Sequence, residues 1–214
     1  MFVRKLLTWY KKAARALPWR YTRNPYAILV SEFMLQQTQV SRVLEYFPRF
    51  MARFPTIDAL ARSRPKAVME QWEGLGYYAR ARNLHALAKV VSRTLDGQIP
   101  KDPVQLQELP GVGRYTAGAV ACFAYEKAVP TVDTNVKRVL TRAFAPRDVW
   151  QFAAQITPRN GKRAWLFNQA MMELGALICT ARTPKCPECP VSEDCRYKAR
   201  LGSRTRIQPS AHPR

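Results

Sequence analysis

Side chains that cap helices recur along the chain and divide it into short helical segments. Strictly alternating polar and apolar stretches, which are typical of strands, are nearly absent. Two of the caps are followed by a proline, which favours the first helical position. We therefore predict an all-α fold of many short helices joined by short turns. The candidate N-caps are Asn24, Thr56, Asp102 and Asp133.

Apolar residues at helical spacing predict the longer helices. One begins after Asn24-Pro25 and continues to Pro48. Another covers residues 78–95 and ends before Gly97. A last long apolar helix covers residues 161–178 and leads into Cys179.

The charge balance narrows the classes of partner. Lys and Arg number 35 and Asp and Glu number 15 in 214 residues, which gives a formal net charge of +20. Such a surface favours nucleic acid or an anionic membrane. Hydrophobic residues make up 47% of the chain, so it can bury a core of one domain or two small ones. No apolar run approaches the ~20 residues of a bilayer span, and charges throughout residues 1–20 argue against a cleaved signal.

Four cysteines lie close together in the pattern Cys179-x6-Cys186-x2-Cys189-x5-Cys195. Four thiolates within so short a span can enclose one tetrahedral metal ion or one cubane cluster. Zinc ribbons usually bring two Cys-x2-Cys knuckles, whereas only one is present, so the spacing favours an iron–sulfur cluster over zinc. The fifth cysteine, Cys122, lies in an apolar helix and is predicted to be a core residue.

A glycine-containing turn, Leu109–Gly113, lies between two predicted helices and is followed by Arg114. Gly111 and Gly113 allow close backbone approach and expose N–H groups at the start of the next helix, where an anion is favoured. The segment is either a helix-hairpin-helix that grips a DNA phosphate or a tight turn without a ligand. The charge of +20 favours the phosphate.

Two carboxylates stand out in a chain that is poor in them. Glu32 lies in an otherwise apolar helix, and Asp133 lies about twenty residues after the glycine turn. Two carboxylates can divide proton donation and cation stabilisation at a glycosidic carbon. Taken alone, however, Asp133 also fits a simple N-cap, and Glu32 also fits a solvated first helical turn.

A second glycine-rich segment, Gly74–Tyr78, precedes Arg80 and Arg82. Aromatic side chains among glycines and arginines suit insertion into a base stack, although a helix cap with core tyrosines fits equally well. The polar pair Gln36 and Gln37 could likewise fill a gap in a duplex.

Taken in order, these elements resemble the helix-hairpin-helix (HhH-GPD) DNA glycosylase superfamily with a C-terminal iron–sulfur loop. The resemblance covers about Leu17 to Cys195 and is closest to adenine DNA glycosylases of the MutY type. It is carried by the cysteine spacing and by the segments Leu17–Arg20, Ser31–Val40, Gly74–Arg80, Leu109–Gly113 and Phe167–Met171.

The resemblance implies two helical lobes with an active cleft between them. A six-helix domain with the hairpin would comprise residues 21–128. Residues 1–20 plus 129–200 would form the iron–sulfur cluster domain, and residues 201–214 a basic, mobile tail. Glu32 and Asp133 would face each other across the cleft.

The resemblance also implies a role for each site residue. Glu32 would protonate the flipped adenine, Asp133 would stabilise the sugar cation, and Tyr115 and Asn135 would support them. One 4Fe-4S cluster would be held by Cys179, Cys186, Cys189 and Cys195. The residues expected to hold the opened stack or line the base pocket are Gln36, Gln37, Tyr77, Trp19, Arg20 and Gln169, and those at the phosphate are Gly111, Gly113 and Arg114.

Departures from the pattern keep alternatives open. The chain ends soon after Cys195, so we expect the further C-terminal domain that reads 8-oxoguanine to be missing. Thr134 stands where the adenine branch has glycine, and a compact branch acts on thymine or uracil opposite guanine. Tyr115 stands where bifunctional relatives carry lysine, which implies a monofunctional enzyme with at most weak lyase activity, because a phenol cannot form a Schiff base.

The expected partner is duplex DNA containing a mismatch, with adenine opposite G or 8-oxoguanine. We expect a monomer that acts in the cytoplasm at the nucleoid and does not bind membranes. The rival interpretation from another class is a non-catalytic iron–sulfur module that binds DNA.

Overall fold

The computed structural model describes the backbone of residues 1–204 and the side chains of residues 1–201. No strand occurs within that part of the chain, which confirms the all-α prediction. The helices are α1 (Phe2–Ala13), α2 (Pro25–Leu35), α3 (Val40–Arg53), α4 (Ile57–Arg62), α5 (Pro65–Trp72), α6 (Ala79–Thr94), α7 (Pro103–Gln107), α8 (Arg114–Tyr125), α9 (Thr134–Phe144), α10 (Val149–Ile156), α11 (Gly161–Leu177) and α12 (Arg196–Arg204). Short 3-10 turns cover Pro18–Arg20, Cys186–Glu188 and Ser192–Asp194.

The chain divides into two compact units. The hairpin unit is Ala16–Thr131, and the cysteine unit is Met1–Arg15 together with the chain from Val132 onward. The divisions predicted after residues 20 and 128 lie a few residues away from these. The predicted tail, 201–214, begins inside α12, so its first four residues are helical. The rest of that tail prediction lies outside the described residues.

The hairpin unit is built around α2. Asn24 caps this helix by accepting hydrogen bonds from the backbone N–H groups of Tyr26 (2.9 Å) and Ala27 (3.2 Å), as predicted. Every residue from Tyr26 to Met34 is buried, because the helix is apolar on all sides and can only lie in a core. It packs against α3, α6 and α8. Glu32 is therefore carried into the interior by its own helix.

The predicted long helix that ends at Pro48 is wrong. The structure has two helices, α2 and α3, separated by residues 36–39, and Gln37 adopts a left-handed conformation (φ 55°) at the break. Pro48 lies inside α3 and does not end it. The helix continues because Phe47 and Phe50, on either side of the proline, are both buried in the core.

The cysteine unit has its own core between α1, α9, α10 and α11, which includes Leu6, Leu140 and Met171. The segment after α1 is tied to α11 by Arg15, whose Nε and Nη2 donate to the fully buried Glu173 at 2.5 and 3.2 Å. Within the described part of the chain, no helix is both long enough and apolar enough to cross a membrane.

Candidate functional site

Glu32 and Tyr115 are brought together inside the hairpin unit. Glu32 lies in the last turn of α2 and is only 4% exposed. Tyr115 is the second residue of α8, and its hydroxyl donates a 2.7 Å hydrogen bond to Oε2 of Glu32. A buried carboxyl group is costly unless it is hydrogen-bonded, and the phenol supplies such a bond. The pairing fixes the position of a potential proton donor.

Asp133 and Asn135 form a second pair, in the cysteine unit. Asp133 caps α9, as predicted, because its Oδ1 accepts from the backbone N–H of Val136 at 2.7 Å. Its Oδ2 accepts from Nδ2 of Asn135 at 2.9 Å. Burial raises the pKa of Asp133 above its ordinary value, and these two hydrogen bonds oppose that rise by stabilising the charged form.

Arg138 joins this pair to the cysteine-containing segment. Its Nη2 donates to Oδ1 of Asn135 at 2.8 Å and to the carbonyl of Gly175 at 2.7 Å. Its Nε donates to the carbonyl of Cys179 at 2.7 Å. A continuous path of hydrogen bonds therefore runs from a cysteine backbone to the Asp133 carboxylate.

Gly175 of α11 allows this arrangement by its small size. A Cβ added there would lie 2.6 Å from Cβ of Asn135, a distance shorter than real Cβ atoms show. Any larger side chain would push α9 away from α11 and displace Asn135 from its place beside Asp133.

The glycine turn lies between α7 and α8, as predicted for a hairpin. Gly111 has φ 76°, and a Cβ there would lie 2.7 Å from Cβ of Asn83, so the fold itself requires glycine. Gly113 is different, since an added Cβ would meet no atom within 4 Å. Gly113 caps α8, and both it and Arg114 are exposed at the N-terminus of that helix, where the helix dipole favours an anion.

The residues predicted to enter an opened stack lie on two loops of the hairpin unit. Gln37 and Tyr77 are exposed and both have left-handed backbones, with φ 55° and 47°. Tyr77 is 59% exposed, while Gln36 is half-buried. Arg80, which follows the second glycine-rich segment, is buried between these loops.

The three residues predicted for the base pocket occupy different environments. Trp19 lies in the 3-10 turn, buried with its ring edge-on to that of Phe47 at a centroid distance of 5.6 Å. Arg20 follows it and is half-buried. Gln169 is buried in α11 of the cysteine unit.

The four clustered cysteines line one small pocket, together with Arg142. None of them forms a disulfide. Among the described residues, no group of three or more His, Cys, Asp or Glu side chains is placed to hold a single metal ion. Four cysteines that line one pocket can hold a single metal centre, and their spacing in the sequence favours an iron–sulfur cluster over zinc. Cys122, by contrast, is fully buried in α8 as a core residue.

Positive groups surround this pocket. Nη1 of Arg142 approaches Sγ of Cys179 at 3.5 Å and also donates to the carbonyl of Thr180 at 2.7 Å. Burial raises the pKa values of Cys186 and Cys189, and the neighbouring cysteines raise them further. Thiolates therefore need cationic compensation here, which Arg142 supplies in part and the iron ions of a bound cluster would increase.

Comparison with known protein families assigns most of the chain. Residues 30–156 match the model of the HhH-GPD superfamily base excision DNA repair protein. The chain belongs to the HhH-GPD superfamily. Residues 179–195 match the iron-sulfur binding domain of endonuclease III, and this range includes all four clustered cysteines. The HhH-GPD chain therefore carries a site for one 4Fe-4S cluster within residues 179–195.

Curated relatives of this HhH-GPD protein are similar over nearly its whole length. An adenine DNA glycosylase of Mycolicibacterium smegmatis is 48% identical over 91% of this chain and 69% of its own. The adenine DNA glycosylase of Rattus norvegicus is 43% identical over 94% of this chain but only 42% of its own. The chain thus spans well under half the length of the rat relative.

Solved structures show the same fold. A thermostable thymine-DNA glycosylase matches with a TM-score of 0.86 and 32% identity, over 93% of this chain and 95% of that one. A trapped endonuclease III–DNA covalent intermediate matches with a TM-score of 0.81 and 25% identity, over 94% of this chain and 95% of that one.

Several residues that shape the site were missed by the sequence analysis. Arg138 and Arg142 have no distinguishing local pattern except their i, i+4 spacing on α9, which places both on one helical face. Gly175 could have been noticed as a glycine inside an apolar helix, a position that usually has a packing reason. The partners of all three are distant in sequence, so their roles follow only from the fold.

We predict that the purified protein contains four irons and four inorganic sulfides per chain, because its four clustered cysteines line one pocket and match the endonuclease III iron-sulfur model. Elemental analysis together with visible absorbance tests this. Replacement of Cys189 by serine is expected to lower the iron content, whereas replacement of Cys122 is expected to leave it unchanged. Stoichiometric zinc without iron would contradict the assignment.

Proposed function

We propose that this HhH-GPD protein is a monofunctional DNA N-glycosylase of base-excision repair that releases mispaired adenine from duplex DNA. The proposal is supported by the adenine DNA glycosylases that are 43–48% identical over about nine-tenths of the chain. The observation that carries its chemistry is the buried Glu32 carboxyl group held by Tyr115, which is suited to giving a proton inside an apolar site.

In the proposed reaction, Glu32 gives its proton to N7 of an adenine that has left the base stack. The C1′–N9 bond then breaks, its electron pair stays with the base, and positive charge develops on the sugar. Water adds to C1′ and gives a proton to the Glu32 carboxylate, which restores the acid, so that free adenine and an abasic sugar result. A mispair lowers the cost of extruding the base, which supplies part of the selectivity.

The proposed role of Asp133 is to stabilise the sugar cation and to help deliver the water. Its carboxylate is held by a backbone N–H and by Asn135, so its orientation is set before substrate arrives. Ionisation of Asp133 is required for this role, which makes the pKa of that carboxyl a determinant of activity.

The remaining site residues are proposed to hold the DNA. Gly111, Gly113 and Arg114 would bind a phosphate through the N-terminus of α8. The exposed side chains of Gln37 and Tyr77, with the adjacent Gln36, would occupy the opened stack. Trp19, Arg20 and Gln169 are proposed to bind the extruded base.

We further propose that the base opposite the adenine is G or 8-oxoguanine, that the protein acts as a monomer, and that it works at the nucleoid. A second candidate, removal of thymine or uracil opposite G, is favoured by the TM-score of 0.86 to the thymine-DNA glycosylase and by Thr134. Release of thymine in preference to adenine would support this second candidate. Salt-sensitive binding without release of any base would indicate a non-catalytic module.

Replacement of either carboxylate tests the proposed chemistry. We predict that Glu32→Gln slows single-turnover adenine release by about 10²- to 10⁴-fold, because the proton donor is lost. Asp133→Asn is expected to slow adenine release by about 10²- to 10³-fold, because the charge beside the sugar is lost. Duplex binding should persist in both variants.

Strand nicking by the wild type should require alkali, because Tyr115 cannot form a Schiff base.

The matched controls are Glu45→Gln and Asp148→Asn. Glu45 is exposed on α3, and Asp148 caps α10 in the way that Asp133 caps α9. Asparagine is as good an N-cap as aspartate, so neither cap is lost on substitution. Full adenine release by Glu32→Gln would contradict the proposed proton donor and favour the thymine alternative.

The pH dependence of adenine release follows from Asp133. Its pKa is raised above the ordinary 3.8, so the rate is expected to fall, on acidification, at a pH above that value. Asn135→Ala removes a hydrogen bond to the charged form of Asp133 and so raises its pKa further. The fall in rate on acidification should therefore begin at a still higher pH. Single-turnover rates with an enzyme-free depurination control measure the shift. If the rate in Asn135→Ala instead begins to fall at a lower pH than in the wild type, the proposed role of Asp133 is contradicted.

The two hairpin glycines are predicted to behave differently when replaced by alanine. Gly113→Ala should change stability by less than about 1 kcal/mol, because its Cβ has open space and the lower entropy of the unfolded chain is offset by the poorer N-cap that alanine makes. It should weaken duplex binding about tenfold, since the methyl group would meet the phosphate. Gly111→Ala should instead lower stability, because of its positive φ and the nearby Asn83. Urea unfolding and duplex titration at fixed salt separate these effects, and unchanged affinity in Gly113→Ala would argue against the phosphate contact.

A further inference from the structure

Arg80 is the only lysine or arginine among the described residues that is buried, with 6% of its surface exposed. Its guanidinium lies between the end of α2 and the loop that precedes α6. It therefore cannot make the DNA contact that its place in an arginine-rich segment suggests, and its position calls for another explanation.

The guanidinium binds oxygen atoms on both of these segments. Nη1 donates to the carbonyls of Phe33 (2.9 Å), Met34 (2.7 Å) and Gln36, and Nη2 donates to the hydroxyl of Thr38 at 3.0 Å. On the other loop, Nη2 donates to the carbonyls of Leu75 (3.2 Å) and Gly76 (3.0 Å), and Nε to that of Tyr77 at 3.4 Å. Within the described part of the chain, none of its hydrogen bonds goes to a carboxylate.

The end of α2 explains why a cation is accommodated there. The last carbonyls of a helix lack intrahelical partners and carry partial negative charge. The last turn of α2 contains no basic residue of its own. Arg80, more than forty positions away in the sequence, therefore supplies the positive charge and the hydrogen-bond donors that these carbonyls need. Only a planar guanidinium has enough fixed donors to reach both segments at once.

Arg80 also borders the two left-handed residues of these loops. Gln37 follows one bound carbonyl, that of Gln36, and Tyr77 follows another, that of Gly76. A left-handed backbone is unfavourable for residues other than glycine and persists only where its surroundings enforce it. The guanidinium carbon also lies 5.5 Å from the centroid of the Tyr77 ring.

We propose that Arg80 is a positioning residue that fixes Gln37 and Tyr77 in their strained conformations, so that both side chains are ready to enter a DNA duplex as a base leaves it. This inference rests on the proposed function, because it assigns these two exposed side chains to the opened stack. By holding both loops before DNA binds, Arg80 removes the cost of ordering them during base extrusion.

The test is a double-mutant cycle on base unstacking. A duplex carries 2-aminopurine next to the target base, and its fluorescence rises as the stack opens. We compare Arg80→Lys in two backgrounds, the wild type and the double variant Gln37→Ala/Tyr77→Ala. Both truncated side chains are exposed, so their removal leaves the core intact.

In the wild-type background, Arg80→Lys is expected to slow opening and base release at saturating protein by about ten- to a hundredfold. In the truncated background it is expected to add less than about twofold, because Arg80 acts through the side chains already removed. Arg93→Gln, which removes one charge from an exposed position on α6, should match the wild type in both assays.

A purely architectural role for Arg80 would give equal losses in both backgrounds, and that outcome would overturn the inference, as would an unchanged opening rate. If Arg80→Lys fails to unfold cooperatively in urea, Thr38→Val takes its place in the cycle, because it removes one acceptor of the guanidinium and retains the arginine. Opening by the wild type without adenine release would count against the proposed function alone.

Discussion

A carboxyl group inside an apolar helix is the constraint on which the hairpin unit depends. Glu32 is buried because every neighbour on α2 is buried, and its burial is tolerable only with a hydrogen-bond donor beside it. Tyr115 is that donor, so α8 must pack against α2. The glycine turn leads directly into α8 and places Gly113 two residues before Tyr115. The proposed phosphate contact and the proposed proton donor are thus set by one helix.

In the cysteine unit, the Asp133 carboxylate is also positioned by hydrogen bonds that stabilise the fold. Asp133 begins α9, and the hydrogen bonds that stabilise the helix start also orient the carboxylate. Arg138 connects Asn135 to the carbonyl of Cys179, one of the four proposed cluster ligands. A cluster that holds the loop of residues 179–195 would therefore help to place Asp133 without taking part in the proposed hydrolysis.

Local chemistry made much of the fold predictable. The caps at Asn24, Thr56, Asp102 and Asp133 lie where the sequence placed them, since capping depends on a few neighbouring residues. The motif residues also identified the superfamily and the cluster. The break at residues 36–39 could not be predicted, because apolar residues continue at helical spacing through it. The left-handed Gln37 follows a carbonyl, that of Gln36, which is bound by Arg80, a residue distant in the sequence. Arg80, Arg138 and Gly175 act through partners more than thirty positions away, which no local pattern reveals.

The central claim is that Glu32 gives a proton to an adenine extruded from the duplex. The most direct measurement is a crystal structure of the Glu32→Gln protein bound to a duplex that carries adenine opposite 8-oxoguanine. The account predicts an adenine outside the stack, with its N7 about 2.7–3.2 Å from the side-chain amide at position 32. An adenine that stays stacked in the bound duplex, or one that is extruded with N7 directed away from position 32, would contradict it.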